Sequence, residues 1–141
     1  MIRYHDSDQM IEWAKERIGV SSFRKDARAI GIEDEKGLRA VVVYDGFSET
    51  DCNMHIASDG SRRFLTREAL VHWFSYPFIQ LKLRRVTGLV PAKNETALKF
   101  DIGLGFEYEG LCRHALKDDD LVILGMIRER CRWIPEEHRH A

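Results

Sequence analysis

A turn rich in small residues, followed by a helix, is the clearest candidate anion site in the chain. The turn Ser58–Ser61 leads into Arg62 and Arg63, and the spacing of apolar residues predicts a helix from about Thr66 to Gln80. Such a turn can direct backbone N–H groups at one point, and a helix N-terminus adds about half a positive charge. Arg67 adds a full charge. The combination suits a pyrophosphate, for which the predicted contacts are Gly60, Ser61, Arg62, Arg63 and Thr66.

A second predicted helix carries two polar residues on its apolar face. It begins after Asn94, a good N-cap residue, and ends at Gly105, which can adopt the left-handed conformation. At about 100° per residue, Asn94 and Asp101 lie near the centre of a face formed by Ala97, Leu98, Ile102 and Leu104. Because a buried carboxylate costs several kcal/mol unless it is paired, Asp101 either borders a wet cleft or has a partner. The alternative is a slightly shifted helix that leaves Asp101 at the rim.

His55 is the candidate general base. It lies on a predicted strand, Asp51–Ala57, whose alternation puts Cys52, Met54 and Ile56 on one face and Asp51, Asn53 and His55 on the other. A polar face so near the middle of the chain indicates a cleft or solvent. The reference pKa of a histidine, about 6.5, suits proton abstraction near neutrality. The alternative is a histidine that is merely hydrogen-bonded on a strand.

The elements that must position these residues follow in chain order. Ser7 or Asp8 is the predicted N-cap of a helix that runs through about Ile18 and ends at Gly19, and a hairpin joins 27–33 to 38–44. Pro77 should kink the helix that follows the anion loop. Strands are predicted at 86–90, 106–116 and 121–127, the last after a solvated turn at 118–120.

The order strand, helix, strand over 85–113 predicts a βαβ-like unit. With 141 residues there is room for one domain, predicted at 1–134, and a polar C-terminal tail, 135–141.

Residues 90–113 carry a family resemblance. The patterns V-x-x-x-N-x-x-A-x-x-F, at Val90–Phe100, and L-G-F-x-x-E-G-x-x-R, at Leu104–Arg113, resemble the second half of the GNAT N-acetyltransferases. Within that superfamily, Glu109, Gly110 and Arg113 resemble the branch that acetylates ribosomal-protein N-termini. The likeness covers about 38–134. It implies an α/β (α+β) fold with a mixed, mostly antiparallel sheet of six or seven strands flanked by helices.

The resemblance also implies a reaction and a cofactor. The enzyme would transfer acetyl from the thioester of acetyl-CoA to a primary amine by direct attack. The backbone at Ile56 and Ala57 would bind the thioester oxygen or pantetheine, and Asn94, Ala97 and Phe100 would line the cofactor site. The acceptor is left open: a protein N-terminus, a lysine or a small-molecule amine.

The chain departs from the family pattern at three positions, two in one loop and one on the second helix. The pyrophosphate loop normally reads Gln or Arg, two residues, Gly, one residue, then Gly or Ala, whereas Leu65 and Arg67 stand where the small residues should be. Loops of this degenerate kind resemble those of phage-encoded relatives. Many members also carry a tyrosine seven residues after the motif asparagine, where this chain has Asp101. The acid is then a partly protonated Asp101, Tyr108 or water.

Composition excludes several other classes. Twenty-two lysines and arginines balance 23 acidic residues, so there is no global attraction to nucleic acid or to an anionic membrane. The N-terminus lacks a leader pattern and no apolar run is long enough to span a bilayer, so we expect a cytoplasmic protein. Three cysteines without CxxC spacing predict neither disulfides nor a zinc site. No metal is expected, and the oligomeric state stays open, a homodimer included.

Three rival interpretations remain at this point. The first is a non-catalytic module that binds acyl-CoA, which the degenerate loop and the missing tyrosine favour. The second is nucleic-acid binding through arginines and lysines at 62, 63, 67, 82, 84 and 85, against which the balanced charge argues. The third, within catalysis, is an acyl relay through Cys112, which period-two alternation places on the same face as His114.

Overall fold

The computed structural model describes residues 1–20, 22–61 and 63–140. Its helices are α1 (Ser7–Ile18), α2 (Arg67–Ser75) and α3 (Glu95–Leu104). Its strands are β1 (Ile2–Arg3), β2 (Arg28–Asp34), β3 (Gly37–Asp45), β4 (Asn53–Ser58), β5 (Arg85–Pro91), β6 (Glu107–Leu116) and β7 (Asp119–Ile127). A π-helical turn, Tyr76–Gln80, continues α2, and short 3₁₀ turns occur at Arg128–Arg130 and Glu136–His138. None of the described helices is long and apolar enough to cross a membrane.

All seven strands form one sheet in the order β1-β2-β3-β4-β5-β7-β6. Neighbouring strands are antiparallel except β4 and β5, which are parallel. The predicted mixed, mostly antiparallel sheet flanked by helices is therefore confirmed. The predicted βαβ-like unit needs a correction, since β5 and β6 run in the same direction but β7 is inserted between them.

The two faces of the sheet bury separate apolar clusters. On the first, which we call the α1 face, Met10 and Ala14 of α1 pack on Val41, Val43 and Ala57. On the second, the α2–α3 face, α2 contributes Trp73 and Phe74, and strands β2, β3, β4, β5 and β7 all supply buried side chains that pack with them. Helix α1 covers the β2–β4 half of its face. On the other half, Arg85 of β5 bonds Glu109 of β6, and Thr87 of β5 donates to Asp51, which precedes β4.

The helix ends follow the predicted signals with one exception. Gly19 and Gly105 end α1 and α3 with φ of 83° and 118°, which an L-residue would adopt only under strain. At the start of α1 the predicted caps are wrong: the N-cap residue is Asp6, without a side-chain cap, and Ser7 Oγ instead accepts a hydrogen bond from the Ala29 N–H at 3.4 Å. Pro77 has no N–H to donate, and the α-helix changes to the π-helical turn where it occurs.

Helix α3 packs its predicted face on the sheet, with one residue outside it. Leu104 is buried, and Ala97 and Leu98 pack on the core. Ile102, predicted on the same face, is 52% exposed. At 100° per residue it lies about 100° from Asp101, at the edge of the stripe, so the helix buries Asp101 more deeply than Ile102.

Strand β6 is an irregular edge strand. Its pairing with β7 shifts register between Tyr108 and Gly110 and again between Cys112 and Leu116. His114 has φ of 57° within the second bulge, so Cys112 and His114 do not alternate as a regular strand predicts. The predicted turn at 118–120 is shorter than expected, because β7 already begins at Asp119.

Candidate active site

The parallel strands β4 and β5 separate soon after they meet. Among the described residues the two strands pair at one position, where Asn53 lies opposite Thr87. There the Thr87 N–H donates to the Cys52 carbonyl at 2.9 Å. By contrast, β4 stays paired with β3 from Asn53 to Ser58. The rest of β4 and β5 therefore border a V-shaped gap whose closed end is at Asn53 and Thr87.

The direction of the β4 backbone decides which predicted donor faces this gap. The Asp59 N–H donates to the Arg39 carbonyl of the β3 side at 2.9 Å, and antiparallel bonding alternates from there. Ala57 therefore directs its N–H and C=O to Val41 of β3, whereas Ile56 directs its own toward the gap. Of the two predicted backbone contacts, Ile56 is placed for a ligand in the gap and Ala57 is not, since its backbone serves the sheet.

His55 lies on the α1 face at the edge of the gap and is fixed by two neighbours. Its Nε2 is 2.9 Å from Oδ1 of Asp45 on β3, and its ring centroid is 5.1 Å from that of Phe23. Asp45 is 4% exposed and also accepts hydrogen bonds from Asn53 Nδ2 at 3.3 Å and from the Arg24 N–H at 3.1 Å. A buried carboxylate thus orients the imidazole.

The protonation state of Asp45 determines which imidazole nitrogen is basic. Burial disfavours its charged form, but the hydrogen bonds from His55, Arg24 and Asn53 outweigh that effect, so the pKa of Asp45 lies below its ordinary value. An ionised carboxylate only accepts hydrogen bonds, so Nε2 of His55 must carry a proton. The lone pair of the neutral imidazole is then on Nδ1, which is free to take a proton from a substrate.

Asp101 lies on the opposite, α2–α3 face. A Cβ built on Gly88 of β5 would be 3.7 Å from Asp101 Oδ2 and 3.7 Å from the Phe106 ring, so the carboxyl sits over β5 among apolar atoms. Burial raises the pKa of Asp101 to about 7, and an electrostatic interaction with His55 acts in the opposite direction but is the smaller effect. Asp101 is consequently a carboxylic acid that can donate a proton near neutral pH.

Tyr108, the other predicted acid, is placed differently. It lies on the edge strand β6 opposite Leu124 of β7 and is 60% exposed. Because β7 separates β6 from β5, two strand spacings of about 4.8 Å each lie between Tyr108 and the strand that borders the gap. Asp101 is therefore the better placed of the two acids.

The predicted anion loop uses two of its amides internally. The Gly60 N–H donates to Ser58 Oγ at 3.2 Å, and the Ser61 N–H donates to Asp59 Oδ1 at 3.0 Å. In this conformation neither amide points at a free ligand position, although both were predicted to bind phosphate. Arg62, the first residue of the family pattern, lies outside the described residues.

The first turn of α2 keeps donors available after the loop. Thr66 is its N-cap, and Thr66 Oγ1 accepts from the Ala69 N–H at 3.2 Å. The N–H groups of Arg67 and Glu68 have no intrahelical acceptor in the first turn of an α-helix. Arg63 is exposed, with its guanidinium 4.8 Å from the centre of the Phe64 ring. This turn, more than the loop, offers N–H groups and positive charge to an anion.

The predicted cofactor contacts on α3 lie at its N-terminus, in the case of Asn94, and on the side that packs against the sheet, in the case of Ala97 and Phe100. Asn94 caps the helix, its Oδ1 accepting from the Ala97 N–H at 3.1 Å, so a ligand contact would use its amide NH₂. Ala97 and Phe100 are partly buried and pack on the core of the α2–α3 face. Their roles toward a cofactor stay predictions.

Sequence reasoning missed Asp45 and Phe23. Asp45 follows a strongly apolar run and precedes Gly46, so it was interpreted only as the end of that predicted strand. The pairing of β3 with β4, which puts Asp45 opposite Asn53, could have indicated it, because residues across a strand pair share a face.

The part of the chain that the structure describes holds no group of three or more His, Cys, Asp or Glu side chains that could bind a metal ion.

Similarity to known proteins is found at the level of structure. No protein-family model matches the sequence, and no curated protein matches it. A variant of the spermidine N-acetyltransferase SpeG from Vibrio cholerae superposes with a TM-score of 0.75 at 14% identity, covering 90% of this chain and 92% of that one. A putative phosphinothricin N-acetyltransferase gives 0.65 at 17% identity, covering 90% and 97%. The N-acetyltransferase PseH from Campylobacter jejuni, in complex with acetyl coenzyme A, gives 0.57 at 13% identity, covering 74% and 70%.

The class that these neighbours define is the GNAT fold, and the chain has that fold. In this chain the fold has a V-shaped gap between β4 and β5, and helix α2 follows β4 along the chain. The chemistry at the gap is inferred below from the residues of this chain.

Proposed function

We propose that the protein is an acetyl-CoA-dependent N-acetyltransferase that transfers acetyl to a primary amine by direct attack. The observation that carries the proposal is that an imidazole oriented by a carboxylate and a buried, partly protonated carboxyl lie on opposite faces of one gap. His55, held by Asp45, lies on the α1 face, and Asp101 lies on the α2–α3 face. Similar folds in N-acetyltransferases support the assignment.

The residues present fit the cofactor along the gap. Acetyl-CoA supplies an acyl group activated as a thioester. The N–H of Ile56 faces the gap and is suited to polarise a carbonyl oxygen there. The first turn of α2, with Arg63 and Arg67 beside it, suits the pyrophosphate. Asn94, at the start of α3, offers an amide NH₂ to the same ligand.

The proposed reaction uses one proton transfer on each face of the gap, to His55 on the α1 face and from Asp101 on the α2–α3 face. A primary ammonium that enters from the α1 face gives one proton to Nδ1 of His55, which frees its lone pair for attack on the thioester carbon. Transfer of the acetyl group to the nitrogen would break the C–S bond, and Asp101 would give its proton to the departing sulfur. The nitrogen would lose its second proton to solvent, His55 would release to solvent the proton that it took, and solvent would reprotonate Asp101.

The proposed reaction does not specify which class of amine accepts the acetyl group. A protein N-terminus and a small-molecule amine both fit the proposal, and one structural neighbour is a spermidine acetyltransferase. Glu109, which carries the resemblance to the ribosomal-protein branch, bonds to Arg85 at 2.8 Å, and both side chains lie over Gly125. Glu109 therefore has a structural partner on the sheet, and we propose no acceptor contact for it.

A second candidate, a module that binds acyl-CoA without turnover, is favoured by the internal bonds of the Gly60 and Ser61 amides. One measurement tests cofactor binding, and a second separates the two candidates. At 100 times its Kd, acetyl-CoA should stabilise the chain by about 2.7 kcal/mol and raise the melting temperature by several degrees under either. Release of free thiol that depends on an added amine occurs only if the protein is a transferase.

Charge-matched variants test the cofactor site. Arg63→Glu should reduce the thermal shift caused by acetyl-CoA, because Arg63 lies beside the proposed pyrophosphate position. Lys117→Glu makes the same change of charge in the exposed turn between β6 and β7 and should leave the shift intact. Absence of a shift at millimolar acetyl-CoA in the unmodified protein would count against both candidates.

A further inference from the structure

A solvent-facing cavity lies beside the His55–Asp45 pair on the α1 face. Its volume is about 510 Å³, within the range of small-molecule sites. The residues that line it come from the segment before β2, from the end of β3 and from the start of β4: Arg24, Lys25, Asp26, Gly46, Phe47 and Asn53. The proposed transfer step assigns none of these side chains a role.

One carboxylate oxygen connects the cavity wall to the proposed base. Oδ1 of Asp45 accepts from Asn53 Nδ2 at 3.3 Å and bonds His55 Nε2 at 2.9 Å. Oδ2 of the same carboxylate accepts from the Arg24 N–H at 3.1 Å. Asn53 and His55 are two residues apart on one face of β4, so about 7 Å separates the wall from the imidazole. A small molecule in the cavity can span that distance.

The cavity wall holds two unpaired cations and one hydrogen-bonded carboxylate. Asp26 keeps its negative charge while it accepts from the N–H groups of Gly46 at 3.0 Å and Phe47 at 2.8 Å. Within the described part of the chain, the guanidinium of Arg24 and the ammonium of Lys25 have no hydrogen-bond or ion-pair partner. Two free cations attract an anionic group and repel a second ammonium.

We propose that this cavity is the acceptor subsite, and that it selects small amines that carry a carboxylate, amino acids among them, over polyamines and uncharged amines. Arg24 and Lys25 bind the carboxylate, and the amine reaches Nδ1 of His55. This inference rests on the proposed function, since it names the acceptor of that reaction.

Three amines with a four-carbon skeleton test the selection. Thiol release from acetyl-CoA is measured with 4-aminobutyrate, butylamine and 1,4-diaminobutane, and acetyl transfer is also measured with a peptide that has a free N-terminus. The expected kcat/KM for 4-aminobutyrate exceeds that for butylamine by about tenfold or more, the effect of one charge-assisted hydrogen bond, and 1,4-diaminobutane is the poorest of the three.

Variants connect the selection to the cavity. The double variant Arg24→Gln, Lys25→Gln keeps the backbone N–H that bonds Asp45 but removes both charges. It should bring the ratio of kcat/KM between 4-aminobutyrate and butylamine close to one, mainly through a higher KM for 4-aminobutyrate. Lys36→Gln, in the exposed turn between β2 and β3, removes a charge elsewhere and should preserve the ratio.

The outcomes distinguish this inference from the function on which it rests. Equal efficiency with all three amines, preference for the diamine, transfer to the peptide alone, or an unchanged ratio in the double variant would each overturn the subsite and leave the transferase standing. Failure of every amine and of the peptide to cause thiol release would overturn both.

Discussion

The imidazole of His55 and the carboxylate of Asp45 form a hydrogen bond of 2.9 Å between β4 and β3. The bond crosses the strand pair next to the gap, and Asp45 is 4% exposed. Because Asp45 is ionised and can only accept, the pair leaves Nδ1 of His55 as the basic atom.

The first prediction concerns this pair. Asp45→Asn removes the charge that stabilises an imidazolium and offers an NH₂ that can donate to Nε2, which moves the imidazole proton to Nδ1. We expect kcat to fall about tenfold or more, with a smaller change in KM for acetyl-CoA, and the pH–rate profile to move to lower pH. Steady-state thiol release across a pH series measures both effects.

A matched substitution separates positioning from simple loss of structure. Asp118→Asn makes the same chemical change in the exposed turn between β6 and β7 and should leave the profile in place. If Asp45→Asn lowers the melting temperature but its pH–rate profile keeps the unmodified shape and position, Asp45 has only a structural role.

The second prediction concerns Asp101 and stability. Its pKa is raised by burial to about 7, compared with the ordinary value of 3.8, so between these two values the native state binds more protons than the unfolded state. The free energy of unfolding therefore falls as pH rises through this window, by at most about 4 kcal/mol. Asp101→Asn removes the titration while keeping the shape of the side chain.

Urea denaturation at pH 5 and pH 8 measures this effect. We expect the stability advantage of Asp101→Asn over the unmodified protein to be larger at pH 8 than at pH 5, because most of the window between 3.8 and about 7 lies between these two pH values. The same variant should lose activity, because an amide cannot protonate the leaving thiolate. A variant less stable than the unmodified protein at pH 8 would show that the carboxylate is satisfied in its ionised form.

The sequence predicted those elements whose signals are local. Gly19 and Gly105 end their helices because they adopt positive φ, and Asn94 caps α3 through its own side chain. The hairpin of β2 and β3 follows from alternating apolar residues on either side of one turn. Asp101 was placed near the centre of the buried face by angular position alone, and the structure puts it over Gly88.

Local sequence signals could not predict the features that depend on which strands become neighbours in the sheet. The insertion of β7 between β5 and β6 is a long-range pairing, and no local pattern specifies it. The partnership of Asp45 with His55 depends on the register of β3 and β4, and the direction of the Ala57 backbone depends on the same register. The loop amides were predicted free because the side chains of Ser58 and Asp59 were not considered as acceptors.

The third prediction is that acetyl passes to the amine without an acyl-enzyme. Burial raises the pKa of Cys52 to about 12 and that of Cys131 to about 11, so neither forms the thiolate that an acyl relay needs. Cys112 is exposed, but it lies on β6 opposite Leu121, and β7 stands between it and β5. Two strand spacings, about 10 Å, separate Cys112 from the strand that borders the gap.

Intact-mass measurement tests this prediction directly. The protein is incubated with acetyl-CoA in the absence of an acceptor, and we expect its mass to stay unchanged. Cys112→Ala should release thiol with an added amine at the rate of the unmodified protein. A gain of one acetyl group that disappears in Cys112→Ala, together with loss of turnover in that variant, would contradict direct attack. It would also require β6 to approach the gap, since β7 keeps Cys112 away from β5 in this structure.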